Sequence, residues 1–152
     1  MNNEELKNRV LTLVPESIIT ENKQFLTVIV PPDKLHKLAE ELRYSEDTVF
    51  DYLFCLSGVD LKDTLMVVYH LTSTVYYHDI VLKVNTTDRI NPQFDTVSDI
   101  WRTADFNERE VYDFFGIKFN NHPDMRRIFL DETTIKGFPF RKDYVDKNII
   151  ER

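Results

Sequence analysis

Three carboxylates and one guanidinium fall within six positions at Glu108, Arg109, Glu110 and Asp113. Such a set suggests general acid–base work, for which two carboxyl groups must converge on one substrate. A helix does not converge these. It puts Arg109 and Asp113 on one face at i, i+4 and turns Glu108 and Glu110 to different faces. Local ion pairing and helix capping account for all four without catalysis. The histidines, His36, His70, His78 and His122, are scattered. His70 and His78 lie on neighbouring predicted strands, but no third ligand at metal-site spacing accompanies them. His122, before Pro123, reads as the residue that fixes a turn by hydrogen bonding. Arg126-Arg127 suits phosphate or carboxylate, and the acidic balance of the chain favours a protein carboxylate. Ser57 precedes Gly58 without the flanking glycines of a nucleophile elbow.

Composition narrows the remaining chemistry. The 152 residues carry a net charge of −7, unlike a general nucleic-acid binder with its basic face. All of that charge lies in residues 1–100, with 9 basic and 16 acidic side chains, whereas residues 101–152 balance 10 against 10. Balanced charge interleaved with aromatics suits protein contact. The single cysteine, Cys55, rules out an intrachain disulfide and an all-cysteine metal or iron–sulfur site within one chain. Its setting, YLFCL, predicts a buried core thiol. Only three glycines, Gly58, Gly116 and Gly137, are present, too few and too dispersed for a P-loop or a dinucleotide fingerprint. No apolar run approaches the roughly 20 residues of a membrane span. The polar, acidic N-terminus reads as neither a signal nor a transit peptide. Cytoplasmic residence is therefore the expectation, with any membrane association through a partner.

The elements that position these residues follow from periodicity. Asn2 or Asn3 caps a first helix whose Leu6, Val10 and Leu13 share a face, and Pro15 ends it. SIIT and QFLTVIV read as a hairpin closed by ENK, stopped by Pro31-Pro32. Leu35, Leu38, Ala39 and Leu42 recur as an amphipathic helix. VFDYLFCLSGVD, TLMVVYHL and VYYHDIVLKV read as three strands joined near Leu61–Asp63 and near Thr72–Thr74. The fold class predicted is α+β: a two-layer α/β sandwich with an α-β-β-α-β-β-β core and a mixed, mostly antiparallel sheet. Short helices and an extended C-terminal arm follow. The division is 1–95 for the core and 96–152 for the short helices and a partner-binding arm, within one structural domain and without a linker.

Thr96 with Asp99 opens a predicted short helix carrying Ile100, Trp101 and Ala104. Asn107 and Glu110 form a predicted capping box for a second, two-turn helix, stapled by Phe106 and Val111 and stopped by Gly116. Beyond Phe119 no periodicity survives. Ile128, Phe129, Leu130, Phe138, Phe140 and Tyr144 are nevertheless not the residues of an unfolded tail. An arm with apolar anchors and arginines lying on a partner fits both observations; Asp146 to Arg152 are expected to fray.

The stretch EREVYDFFGIKFNNHPDMRR resembles the signature of the 30-kilodalton (C) subunit family of respiratory complex I, the NADH-quinone oxidoreductase. The match runs through Glu108, Arg109, Glu110, Val111, Tyr112, Asp113, Phe114, Phe115, Gly116, Ile117, Phe119, His122, Pro123, Arg126, Arg127 and Ile128. Downstream, GFPFRKDY is similar to a second family element through Gly137, Pro139, Arg141, Lys142, Asp143 and Tyr144. The resemblance implies a non-catalytic, cofactor-free subunit in the hydrophilic arm of a proton-translocating NADH:quinone oxidoreductase. NADH, quinone, flavin and iron–sulfur clusters then belong to other subunits. The implied partner is the hydrogenase-large-chain-like subunit that forms the quinone pocket, wrapped by the C-terminal arm on the cytoplasmic side of the cell inner membrane. Its contact residues are then Glu108, Arg109, Glu110, Asp113, Gly116, His122, Pro123, Arg126 and Arg127 of the first element, and Gly137, Pro139, Arg141, Lys142, Asp143 and Tyr144 of the second. The short, unfused chain fits a bacterial or archaeal version. Relatives in energy-converting hydrogenases and formate hydrogenlyases share the signature and keep that reading open, beside a free-standing binding module or small enzyme.

Overall fold

The computed structural model describes residues 2–21, 24–148 and 150. Helix α1, Asn3–Leu13, starts where the Asn2 side chain accepts the Glu5 N–H and the Glu5 carboxylate accepts the Asn2 N–H, a reciprocal cap. It buries Leu6 and Val10, with Leu13 partly covered. Strands β1, Ile18–Glu21, and β2, Leu26–Ile29, pair antiparallel; the turn expected at ENK falls on Asn22 and Lys23, outside the described residues. A 3-10 turn, Pro32–Lys34, leads into α2, Leu35–Tyr44, which buries Leu35, Leu38, Ala39 and Leu42 as their spacing predicts.

The three long strands are β3, Tyr52–Asp60, β4, Leu65–Ser73, and β5, His78–Thr86. The five-stranded sheet runs β1-β2-β5-β4-β3, and only β2–β5 is parallel. That pairing needs a long connection, supplied by α2, β3 and β4. The predicted mixed, mostly antiparallel sheet is the one observed. Two details differ. The β4–β5 turn lies later than Thr72–Thr74: Ser73 still pairs with His78, because the Ser73 hydroxyl accepts the Tyr76 N–H and Asp51 accepts the Thr74 N–H. Cys55 is half-buried rather than a core thiol. It sits on the edge strand, beside an irregularity in the β3–β4 pairing between Leu53 and Cys55.

After the sheet the chain builds a second layer. Strands β6, Gln93–Asp95, and β7, Lys118–Asn120, form a small parallel pair that periodicity did not reveal, each being three residues long. Helix α3, Ala104–Phe115, connects them and packs on β3. It has twelve residues, not two turns, and begins three residues before Asn107. The predicted capping box and staple therefore do not form, and Phe106 is exposed. The start is set from outside: the Trp101 indole donates to the Phe50 carbonyl, and the Thr103 hydroxyl donates to that of Leu53. These bonds hold residues 97–103 as turns where a short helix was expected. Gly116 ends α3 in the left-handed region, φ 71°. One apolar core spans both layers, from Leu6 and Leu82 to Trp101, Val111 and Phe119.

Candidate functional site

Helix α3 turns two of its carboxylates inward. Glu108 is fully buried, accepting from the Val97 N–H at 2.8 Å and from the Thr96 hydroxyl. Burial pushes its carboxyl up to about 7, against the pull of those two hydrogen bonds, and Asp99 and Asp105 add to the rise. Beside it lies the buried ring of His122. Its Nδ1 accepts the Asp124 N–H at 3.0 Å, so Nε2 carries the proton. That N–H faces the Asp105 carbonyl at 3.0 Å, with Glu108 Oε2 at 3.8 Å. His122 thus fixes the turn at Pro123 and ties it to the start of α3.

Asp113 is the second inward carboxylate. Its Oδ2 accepts three consecutive backbone N–H groups, Ile128 at 3.1, Phe129 at 2.7 and Leu130 at 3.1 Å. Its Oδ1 faces the Arg127 guanidinium at 3.7 Å. Three amides on one carboxylate oxygen form a charge-assisted grip on a segment with no helix or strand of its own. Arg127 also donates to the Gly137 carbonyl, which closes residues 127–137 into a loop. The Phe138 ring lies between two guanidinium groups, Arg127 at 4.9 Å and Arg141 at 5.1 Å. That ring rests against Gly116, where an added Cβ would come within 2.4 Å of it.

The second motif is fastened by its own Arg141 and by two residues that sequence reasoning passed over, Asp60 and Arg89. Arg141 Nε donates to the Phe115 carbonyl at 2.6 Å, and another of its nitrogens donates to that of Arg89 at 2.7 Å. Burial lowers its pKa from the ordinary arginine value. Asp60, at the end of β3, takes Arg89 through two 2.8 Å bonds and accepts the backbone N–H of Lys142 at 2.9 Å. These donors, the Arg89 fork first, hold the Asp60 carboxyl well below the usual range. Asp143 completes the group at 3.3 Å from Arg89. Tyr144 packs beside Gly137, whose φ is 85°; Pro139 is half-buried. In sequence, Asp60 and Arg89 are isolated charges at strand and turn ends, 29 positions apart, and carry no signal of their pairing.

The expected pairing within α3 is thus replaced. Arg109 does not pair with Asp113; its Nε donates to the Arg126 carbonyl. Arg126 is exposed and forks onto Asp124. Glu110 is exposed on the outer side of α3. The other histidines sit apart: His36 on Asp99 at 2.8 Å, His70 between the Phe25 and Phe54 rings, His78 against the Thr48 carbonyl. Among the described residues no three His, Cys, Asp or Glu side chains are grouped as metal ligands, and no helix is long and apolar enough to cross a membrane. What the geometry does chemically is hold irregular backbone, through carboxylates that accept amides and guanidinium groups that donate to carbonyls.

The profile of the family described as "Respiratory-chain NADH dehydrogenase, 30 Kd subunit" matches residues 28–148. The chain belongs to this family. It is 47% identical over 116 residues to the C/D subunit of NADH-quinone oxidoreductase from Phocaeicola vulgatus, covering 76% of this chain and 22% of that protein. To the C subunit of NADH-quinone oxidoreductase from Chloroherpeton thalassium it is 43% identical over 114 residues, 74% of this chain and 47% of the other. The chain thus spans about a fifth of the first relative and about half of the second. Among solved structures, a chain of the membrane-bound sulfane sulfur reductase, described as an archaeal respiratory membrane complex, superposes with a TM-score of 0.79 at 26% identity, over 93% of this chain and 85% of that one. In this member of the 30-kilodalton family, both sequence motifs lie on α3 and the arm it holds.

Proposed function

We propose that this chain is a non-catalytic subunit of a proton-translocating NADH:quinone oxidoreductase, with no cofactor of its own. It docks through α3 and the arm onto the large subunit that forms the quinone pocket, and braces that subunit for electron transfer from NADH to quinone. It sits peripherally, on the cytoplasmic side of the membrane. Family membership across residues 28–148 is the observation that carries this reading. The arm geometry supports it: Asp113, Asp60 and Arg141 anchor an irregular segment that leaves Phe129 and Phe140 more than half exposed. Aromatic rings held rigidly at the surface are what a stable protein interface uses at its centre.

A second reading has its own support. The likeness to a chain of the archaeal sulfane sulfur reductase complex favours the same bracing role in a related membrane complex, such as an energy-converting hydrogenase or formate hydrogenlyase.

The test is to tag the chain in its host and isolate it from solubilised membranes. Co-elution with the large subunit, and loss of membrane NADH:quinone reductase activity on deletion of the gene, are expected. A chain that elutes alone, or carries a stoichiometric chromophore, overturns the proposal. Retained NADH:quinone activity with loss of another membrane redox activity selects the second reading. Two variants separate contact from folding. Arg126→Ala removes an exposed side chain and should weaken co-elution without disturbing the arm. Arg141→Ala should weaken it by loosening the arm.

A further inference from the structure

Of the three carboxylates that the first motif places on α3, Glu108 and Asp113 are turned into the protein, and Glu110 is not. It is exposed and, among the described residues, has no ion pair or hydrogen bond. It lines a cleft of about 140 Å³ between α3 and β3. Leu56, Ser57 and Gly58 line the strand side, and Val111, Phe114, Phe115 and Phe140 the helix and arm side. The missing side chain of Gly58 makes room for the Phe115 ring, because a Cβ there would lie 2.5 Å from it. Phe140 stacks on Phe114 at 4.2 Å between centroids and meets Phe115 edge-on at 5.8 Å. Phe140 keeps 58% of its surface exposed.

The cleft is below the size of cofactor pockets, which begin at about 300 Å³. It matches a single long side chain. Its chemistry specifies which kind: apolar walls for a methylene stem, aromatic faces for a cation, and one unpaired carboxylate for its head. A neutral apolar side chain would fill the space but leave Glu110 desolvated without a partner. Arginine fits better than lysine, because its guanidinium is planar and weakly hydrated, stacks on rings and pairs with a carboxylate through two parallel bonds. The geometry points to a socket for one arginine side chain of the adjoining subunit, its guanidinium between Phe140 and Glu110. The inference rests on the subunit reading above, deepens it, and gives Glu110 a binding role that the fold does not.

The experiment uses the assembled complex. Glu110→Gln, Glu110→Lys and Glu110→Asp are introduced into the tagged chain, and the salt concentration at which the chain leaves the large subunit is measured. Retention at moderate salt should fall about tenfold for Glu110→Gln, further for Glu110→Lys, and least for Glu110→Asp. Thermal unfolding of the isolated chain should be unchanged in all three, since Glu110 makes no bond within the described chain. A photo-cross-linking phenylalanine analogue at position 140 should attach to a peptide of another subunit within a residue or two of an arginine. Wild-type retention by Glu110→Lys overturns the socket, as does a cross-link to a second copy of this chain or to a segment without arginine. If the wild-type chain enters no complex at all, it is the subunit reading that falls.

Discussion

The five-stranded sheet and the arm after Asn120 solve the same problem by different means. In the sheet, backbone groups pair with one another along continuous ladders, and alternating side chains fill a shared core. The arm has no ladder. Its backbone is held at points: three amides on Asp113, one on Asp60, and the Phe115 and Arg89 carbonyls on Arg141. A ladder distributes the loss of any one bond over its neighbours. A point fastening does not, so single substitutions should act on the arm locally and on the sheet globally.

The sharpest way to break that contrast is Asp113→Ala. Removing this acceptor strands three amides and takes one of two carboxylates from Arg127, which keeps Glu132 at 3.6 Å; this should cost the arm about 3–5 kcal/mol. Hydrogen exchange should show the Ile128–Leu130 amides losing protection while those of β4 keep theirs; equal loss in both would show that arm and sheet unfold as one unit. Leu71→Ala is the converse case. This fully buried β4 side chain should cost about 2–5 kcal/mol of global stability, seen as one lowered denaturation midpoint for sheet and arm together.

Glu108 adds a dependence on pH. Its carboxyl rises from an ordinary 4.5 to about 7 on folding, so the folded state binds the proton more tightly. The stability this confers is complete below about 4.5 and is lost as pH rises through 7, a change of about 3 kcal/mol at most. Asp60 acts in the opposite sense. Its depressed carboxyl stabilises the fold above its ordinary 3.8, a contribution lost as pH falls further. Denaturation of the isolated chain should therefore show greatest resistance near pH 5, and Glu108→Gln should flatten the fall toward pH 7. The smallest effect expected is at the other end of the molecule: Asn2→Ala removes the cap of α1 for about 1 kcal/mol, with no change in exchange at residues 128–130.

Legibility in the sequence divides along the same boundary. The sheet strands and α2 could be placed because their order is periodic; Leu35, Leu38, Ala39 and Leu42 declare a helical face by their spacing alone. The start of α3 could not. Asn107 and Glu110 have the spacing of a capping box, but the bonds of Trp101 to Phe50 and of Thr103 to Leu53 on β3 override local preference. The arm could be recognised only as an anchored segment without periodicity. Its anchors pair residues such as Asp60 with Lys142 and Asp113 with Leu130, and no local pattern encodes those distances. Motif matching found Asp113 and Arg141 without showing what they hold. In the fold they secure the chain to itself, and Glu110, Arg126 and the exposed rings are left to face outward.

The three-amide grip of Asp113 also sets a rule for chain length. The path from Gly116 to Ile128 must return to one fixed oxygen, so adding or deleting a residue there would put the wrong amides in reach. Residues 132–134 and 136 are exposed and lie inside the loop that Arg127 and Gly137 close. Insertions among proteins of this shape should gather in that loop, and the segment before it should keep a constant span.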